Sequence, residues 1–240
     1  MRRLTVASLL SSCIALSAAP VAIGHVVQHL PRHKLGTGQS TNWSGYSVDG
    51  TNATAVTGSW TVQPATCAKR ESSWSSPWVG IDGDISSTVE QTGTDTDCSH
   101  GTPSYYAWYE MYPKSLVVIN HTVSPGDAMT GSVSYDSSGF LLSLSDNTRG
   151  WSFSIIQTST SAARNSVEWI VEGPSNGALT DFGTLNFSAD SATISGQTQT
   201  LDGFGSSANA ITMVGKGGVV RAAPGAVGVK GAFTDTWFHS

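Results

Sequence analysis

The sequence predicts an all-β domain, an antiparallel β-sandwich or jelly roll, and three observations point there. From Asn42 onward the chain alternates short Val-, Thr-, Tyr- and Trp-rich runs with clusters of Gly, Ser, Asn and Asp. No stretch carries a convincing amphipathic-helix pattern, and turn signals recur at short intervals. Neither a fixed-period repeat nor a second composition regime interrupts the series, so residues 40–240 read as one domain.

The elements follow in order. Trp43–Asp49 opens the series with Trp, Tyr and Val, all strand formers. Val56–Val62 alternates Val56, Gly58, Trp60 and Val62 with hydroxyl residues. Pro77–Ile81 and Thr88–Thr92 are short runs bounded by Gly, Asp and Ser, and Ser104–Tyr112 is long and aromatic. The turn Ser124-Pro125-Gly126-Asp127 introduces Ala128–Tyr135, and Ser137-Ser138-Gly139 leads from it to Phe140–Ser145. Trp151–Gln157, Val167–Val171, Asp181–Phe187 and Ala210–Val214 come next, then Lys216-Gly217-Gly218 and a last strand at Ala232–Trp237.

Ahead of this domain, Met1-Arg2-Arg3 and the apolar run to Ala19 form a secretory signal peptide, residues 1–19, which implies export. Leu10-Ser11-Ser12-Cys13 resembles a lipoprotein cleavage box. The apolar run continues past it to Ile23, however, which favours cleavage near Ala19. No other segment reaches the roughly 18 apolar residues of a membrane helix, so no stable membrane association is expected. Residues 20–39 read as a basic N-terminal tail or short pro-segment: three of the six histidines fall in His25–Lys34, with Arg32 and Lys34. A cationic peptide of this kind could plug a carboxylate site on an acidic domain.

Charge is sparse, at 12% Asp, Glu, Lys and Arg. All 17 acidic residues lie after residue 40, against 8 of the 12 basic ones. Too few cations remain to replace phosphate counterions, which argues against nucleic acid. An acid-leaning surface suits acidic surroundings, where protonation relieves repulsion. Beyond the leader only Cys67 and Cys98 remain, and in an exported protein a disulfide between them is the default. It would close a loop worth about 3 kcal/mol in the chain-entropy model. Two cysteines without a His pair at ligand spacing give no zinc site, and no metal or other cofactor is expected.

The run Val167-Glu168-Trp169-Ile170-Val171-Glu172 carries the most information. As a strand it turns Val167, Trp169 and Val171 to one face, and Glu168, Ile170 and Glu172 to the other. The two carboxylates would then stand roughly 13 Å apart. Tyr106, Trp108, Glu110 and Tyr112 share a face in the same way, and Trp78 and Asp82 oppose Val79 and Ile81. Aromatic and acidic faces backed by apolar ones describe a binding cleft better than a solvated surface.

Four blocks carry a family resemblance: Trp78-Val79-Gly80-Ile81-Asp82-Gly83-Asp84, Gln91-Thr92-Gly93-Thr94-Asp95, Ala107-Trp108-Tyr109-Glu110-Met111-Tyr112-Pro113 and Glu168–Glu172. In this order they resemble the glutamic peptidases, or eqolisins. Asn42-Trp43-Ser44-Gly45 and Asp181-Phe182-Gly183 also fit, and the likeness spans roughly residues 42–188. The resemblance implies a jelly-roll or lectin-like β-sandwich with a concave active-site sheet. It further implies a monomeric acid endopeptidase acting on proteins or peptides, without metal or covalent intermediate. The catalytic pair would be Gln91 and Glu172. Trp78, Asp82, Asp95, Trp108, Glu110 and Glu168 match residues that line or support the family's cleft. Tyr106 stands where the fungal pattern has Asp, and Met111 where it usually has Trp; the spacer from Asp84 to Gln91 is about one residue shorter.

Two other readings fit the residues. A jelly-roll glycosidase would use Glu110 and Glu172 as paired carboxylates about 5–5.5 Å apart in a retaining enzyme. A carbohydrate-binding module would bind glycan and cut nothing. A serine triad is disfavoured, because no Gly-x-Ser-x-Gly elbow occurs. Asn42, Asn52, Asn120 and Asn186 fit the glycosylation sequon, and Asp84 and Asp97 are expected in turns.

Overall fold

Residues 27–240 are described by the computed structural model, so the signal-peptide reading of residues 1–19 lies outside the described residues. Among them seventeen strands follow one another. The first six are β1 (Gln39–Ser40), β2 (Trp43–Asp49), β3 (Ala53–Thr61), β4 (Ser73–Ile81), β5 (Val89–Ser99) and β6 (Thr102–Tyr112). Then come β7 (Val117–Ile119), β8 (Ala128–Asp136), β9 (Gly139–Asp146), β10 (Trp151–Gln157), β11 (Ser166–Glu172) and β12 (Ala178–Leu179). The last are β13 (Thr184–Ile194), β14 (Gln197–Thr200), β15 (Ala208–Val214), β16 (Val220–Pro224) and β17 (Phe233–Trp237). Three short 3-10 segments are the helical elements. No helix among the described residues is long and apolar enough to cross a membrane.

Two antiparallel sheets face each other as a β-sandwich. One runs β15–β2–β11–β4–β5–β6–β7. The other runs β10–β9–β8–β3–β13–β17–β16–β15. Strand β15 pairs with β2 in one and β16 in the other, which joins them along an edge. The core lies between, where Val79, Trp169, Trp60, Met129, Val133, Leu142 and Phe187 are all buried. A cross-strand pair of glycines, Gly58 and Gly131, makes room for the indoles. A Cβ on Gly58 would stand 2.8 Å from the Trp169 ring, and one on Gly131 3.0 Å from Trp60. Both indoles keep a polar partner: Trp169 Nε1 donates to Thr57 O at 2.8 Å and Trp60 Nε1 to the Thr94 hydroxyl at 2.9 Å.

All twelve expected strands are present, two with the expected bounds (β2 and β10). Two strands run seven residues past their expected ends: β13, expected to stop at Phe187, continues to Ile194, and β5, expected to stop at Thr92, continues to Ser99. The second half of β5, Gly93-Thr94-Asp95-Thr96-Asp97, has the composition of a loop. It is a strand because β4 and β6 flank it on both sides, and Thr94 and Asp95 have buried partners. Asp181 caps a turn by accepting from Gly183 N–H, so β13 starts three residues later than expected. Cys67 and Cys98 form a disulfide with Cα atoms 5.6 Å apart, pinning the loop after β3 to the end of β5.

The acidic residues are not chiefly a surface feature. Twelve of the 17 are buried, among them Glu90, Glu168, Asp190 and Asp235. The expected relief of surface repulsion in acid therefore gives way to a larger effect, the cost of ionising carboxyls inside the fold.

Candidate active site

Strands β11, β4, β5 and β6 lie side by side, and their register fixes which side chains share a face. Glu168 stands opposite Gly80, Gly80 opposite Gln91, and Gln91 opposite Glu110. One row along, Ile170, Trp78, Gly93 and Trp108 are aligned, and beyond them Glu172 faces Ser76. Strand alternation therefore brings Gln91, Asp95, Trp78, Trp108, Glu110, Glu168 and Glu172 to one face. Gly93 keeps its floor open: a Cβ there would stand 2.6 Å from Trp78 and 3.0 Å from the Trp108 ring.

The hydrogen bonds form one connected set. Gln91 Nε2 donates to Glu110 Oε2 at 3.0 Å, and Trp78 Nε1 to Glu172 Oε2 at 3.2 Å. Trp108 Nε1 donates to Asp95 Oδ1 at 2.9 Å and to the Ser76 hydroxyl at 3.1 Å. The Tyr106 hydroxyl donates to Asp95 Oδ2 at 2.5 Å. Gln91 and Glu172 do not bond to each other; they sit two rows apart in register, on either side of the Trp78 row. The Gln91 amide oxygen is buried and has no hydrogen-bond partner among the described residues.

The N-terminal segment lies across this face. His29 N–H donates to Glu110 Oε2 at 3.1 Å, and Leu30 N–H donates to Glu172 Oε1 at 2.9 Å. One main-chain stretch thus spans from the carboxyl bonded to Gln91 to the carboxyl of Glu172. The His29 ring is fully buried, stacked on Trp108 with centroids 4.2 Å apart and edge-on to Trp74 at 5.4 Å. Its Nε2 lies 3.2 Å from Asp95 Oδ1 and its Nδ1 3.6 Å from Glu172 Oε2. Burial alone would lower the imidazole pKa, but Asp95 and then Glu172 outweigh it and hold the ring well above its usual value. Downstream, Arg32 and Lys34 reach Asp84 at 2.9 and 2.8 Å.

Elsewhere on the face, burial dominates. It pushes Glu110 up to about 8, with Glu172 and Asp95 adding to the rise and His29 opposing it. Burial, then Asp95, pushes Asp97 up to about 9. The Tyr106 phenol is raised by burial and by Asp95, which keeps it a donor.

Six of the eight expected cleft residues gather at the seated segment: Gln91, Glu172, Trp78, Asp95, Trp108 and Glu110. Asp82 and Glu168 make no hydrogen bond to it. Asp82 accepts instead from the Arg164 and Asn165 N–H groups at 2.8 and 2.9 Å, anchoring the entry to β11. Glu168 is wholly buried, and burial drives its pKa up.

Four contributors escaped the sequence reading. Asn42 was assigned a glycosylation sequon, yet it is buried and its Nδ2 donates to Glu172 Oε1 at 3.3 Å and to Pro31 O at 3.1 Å. Trp43 Nε1 donates to Leu30 O at 2.9 Å. The signal for both was their place in the Asn-Trp-Ser-Gly block. Trp74 gave none, standing outside every motif. Asp84, expected to serve a turn, holds the basic side chains of the segment.

A family model described as the Peptidase A4 family matches residues 41–224. The chain belongs to this family. It is 33% identical over 187 residues to aspergillopepsin-2 of Aspergillus niger, an alignment covering 66% of this chain and 66% of that relative's length. It is also 33% identical over 181 residues to scytalidopepsin B of Scytalidium lignicola, covering 68% and 67%. The crystal structure of scytalido-glutamic peptidase with a transition state analog inhibitor superposes with a TM-score of 0.70 at 26% identity. That match covers 82% of this chain and 98% of the other. The Peptidase A4 match begins at residue 41, so the segment seated on the cleft lies ahead of the family's own span.

Proposed function

We propose that this Peptidase A4 chain is a secreted acid endopeptidase in which Gln91 and Glu172 act on a water molecule at the scissile carbonyl. The observation that carries the proposal is the Leu30 N–H on Glu172 Oε1, with the adjoining His29 N–H on the carboxyl held by Gln91. A face that grips extended main chain at this place is built to bind peptides, and a relative is known with a transition state analog inhibitor.

Glu172, as carboxylate, takes a proton from the water while the hydroxide oxygen bonds to the carbonyl carbon. The oxyanion collapses, the C–N bond breaks, and the proton passes from Glu172 to the leaving nitrogen. Gln91 has two N–H donors; with one on Glu110, the other serves the developing oxyanion. In the arrangement seen, Glu172 Oε1 accepts from Leu30 and Asn42, and Oε2 accepts from Trp78 beside His29. The seated segment therefore competes with the water, and residues 27–34 act as a plug that must leave the cleft before substrate enters. Sequencing the N-terminus of active protein from culture supernatant tests export and processing together; active protein that retains the segment in place argues against the plug.

The decisive experiment is Glu172→Gln assayed on denatured casein at about pH 3, where a carboxylate base is poised to work. Hydrolysis should vanish while circular dichroism is unchanged. Ordinary turnover by that variant would remove Glu172 from the mechanism.

A further inference from the structure

The seated segment also marks out what the cleft recognises. Its one fully buried side chain, His29, is surrounded by groups with a common preference. Trp108 offers a stacking face, Trp74 an edge wall, and Asp95 and Glu172 place a carboxylate oxygen near each ring nitrogen. An aliphatic side chain would leave both carboxylates without that partner, and a phenyl ring would stack but supply no N–H. A cation on a tryptophan face between acids is the favoured occupant. Asp95 is itself fixed on both oxygens: Trp108 Nε1 donates to Oδ1, the oxygen facing His29, and the hydroxyl of Tyr106, the departure from the fungal pattern, donates to Oδ2. The other acids near the ring are Glu110 on β6 and Asp97 on β5. Three residues beyond His29, Asp84 receives the Arg32 guanidinium, bracing the same carboxyl with the Ser47 hydroxyl.

We propose that the cleft contains a subsite for a histidine side chain, formed by Trp74, Trp108, Asp95 and Glu172, and a second for arginine at Asp84, so that the preferred peptide ligands carry His-X-X-Arg. The chain's own His29-Leu30-Pro31-Arg32 is one such ligand. This rests on the peptidase reading for turnover, though the pockets bind whether or not the bond is cut.

The test uses the full chain carrying His29→Ala, Arg32→Ala and Lys34→Ala, which withdraws the side chains that occupy both pockets. Labelled peptides Val-Gln-X-Leu-Pro-Arg, with X as His, Phe or Ala, are compared in acid for binding by fluorescence anisotropy and for kcat/KM; a fourth replaces Arg by Ala. The His peptide should exceed the Phe and Ala peptides by about tenfold or more, as expected for a stacked cation paired with buried carboxylates. Trp74→Ala in that background should reduce only the His advantage, and Asp84→Asn only the Arg advantage. If casein is hydrolysed but the peptides bind and turn over alike, the subsites are refuted and the peptidase reading stands. If casein is untouched yet anisotropy keeps the His and Arg preferences, the subsites stand and the peptidase reading falls. Equal binding with no hydrolysis refutes both.

Discussion

Asp190 offers a direct way to measure what a buried carboxyl does to this fold. It lies on β13, fully buried, and both carboxyl oxygens lack a hydrogen-bond partner among the described residues. Burial pushes its pKa from 3.8 up to about 9. The raised value means the folded state favours the proton. Asp190 therefore costs no stability below its unfolded pKa, and stability is lost as pH rises toward the folded value. Each pH unit in that window is about 1.36 kcal/mol, so the loss by pH 7 has a ceiling of about 4 kcal/mol. Asn is nearly the same shape and cannot ionise. Asp190→Asn should leave stability at about pH 3 within roughly 1 kcal/mol of the parent and raise it at about pH 7 by up to that ceiling. Urea unfolding followed by tryptophan fluorescence at several pH values reads the difference directly. A stability change that is the same at every pH, or a loss at neutral pH, would show that Asp190 ionises in the fold without penalty.

Two substitutions separate the residues of the cleft. Gln91→Ala should reduce kcat on casein by about 100–1,000-fold with circular dichroism unchanged, the usual cost of one oxyanion donor; a smaller loss would assign oxyanion binding elsewhere. Glu110 is pushed up to about 8 and is thus protonated in acid. Glu110→Gln, which still accepts from Gln91 and the peptide N–H, should keep casein turnover within about threefold near pH 3. Abolished turnover, or release of reducing sugar from xylan by the parent, would revive a Glu110 and Glu172 carboxylate pair.

The strands were legible where one face is apolar and the other polar, as in β2, β3 and β11, because alternation alone sets their register. The site was legible where a rare block coincides with such a strand: Gln91 and Glu110 stand opposite each other, and Glu172 shares their face two rows away. The second half of β5 was not, since Asp and Gly inside a strand are tolerable only where another surface satisfies them, and that surface belongs to β6. The role of Asn42 was hidden for a related reason: the sequon it fits describes a tripeptide, whereas its burial at Glu172 depends on β2 pairing with β11, more than a hundred residues later. Composition led to an expectation of charge contacts from the basic segment, and His29, Arg32 and Lys34 do meet carboxylates. The main-chain N–H groups of His29 and Leu30 on Glu110 and Glu172 are what composition does not reveal.

On the mechanism proposed above, the seated histidine gives a reason for a carboxylate and an amide in place of a histidine base. An imidazole placed on this face is held as a cation by Asp95 and Glu172 well above its ordinary range. A histidine base here would therefore be spent at the acid pH where the buried carboxyls of the sandwich favour folding. A carboxylate can still exchange a proton with water in that range, and an amide beside Glu110 donates without titrating at all. On that reading the carboxyls buried within the sandwich, such as Asp190 and Asp235, and those on the cleft face both suit acid. The first do so because folding favours their protonated form, and the second because a carboxylate exchanges protons with water there.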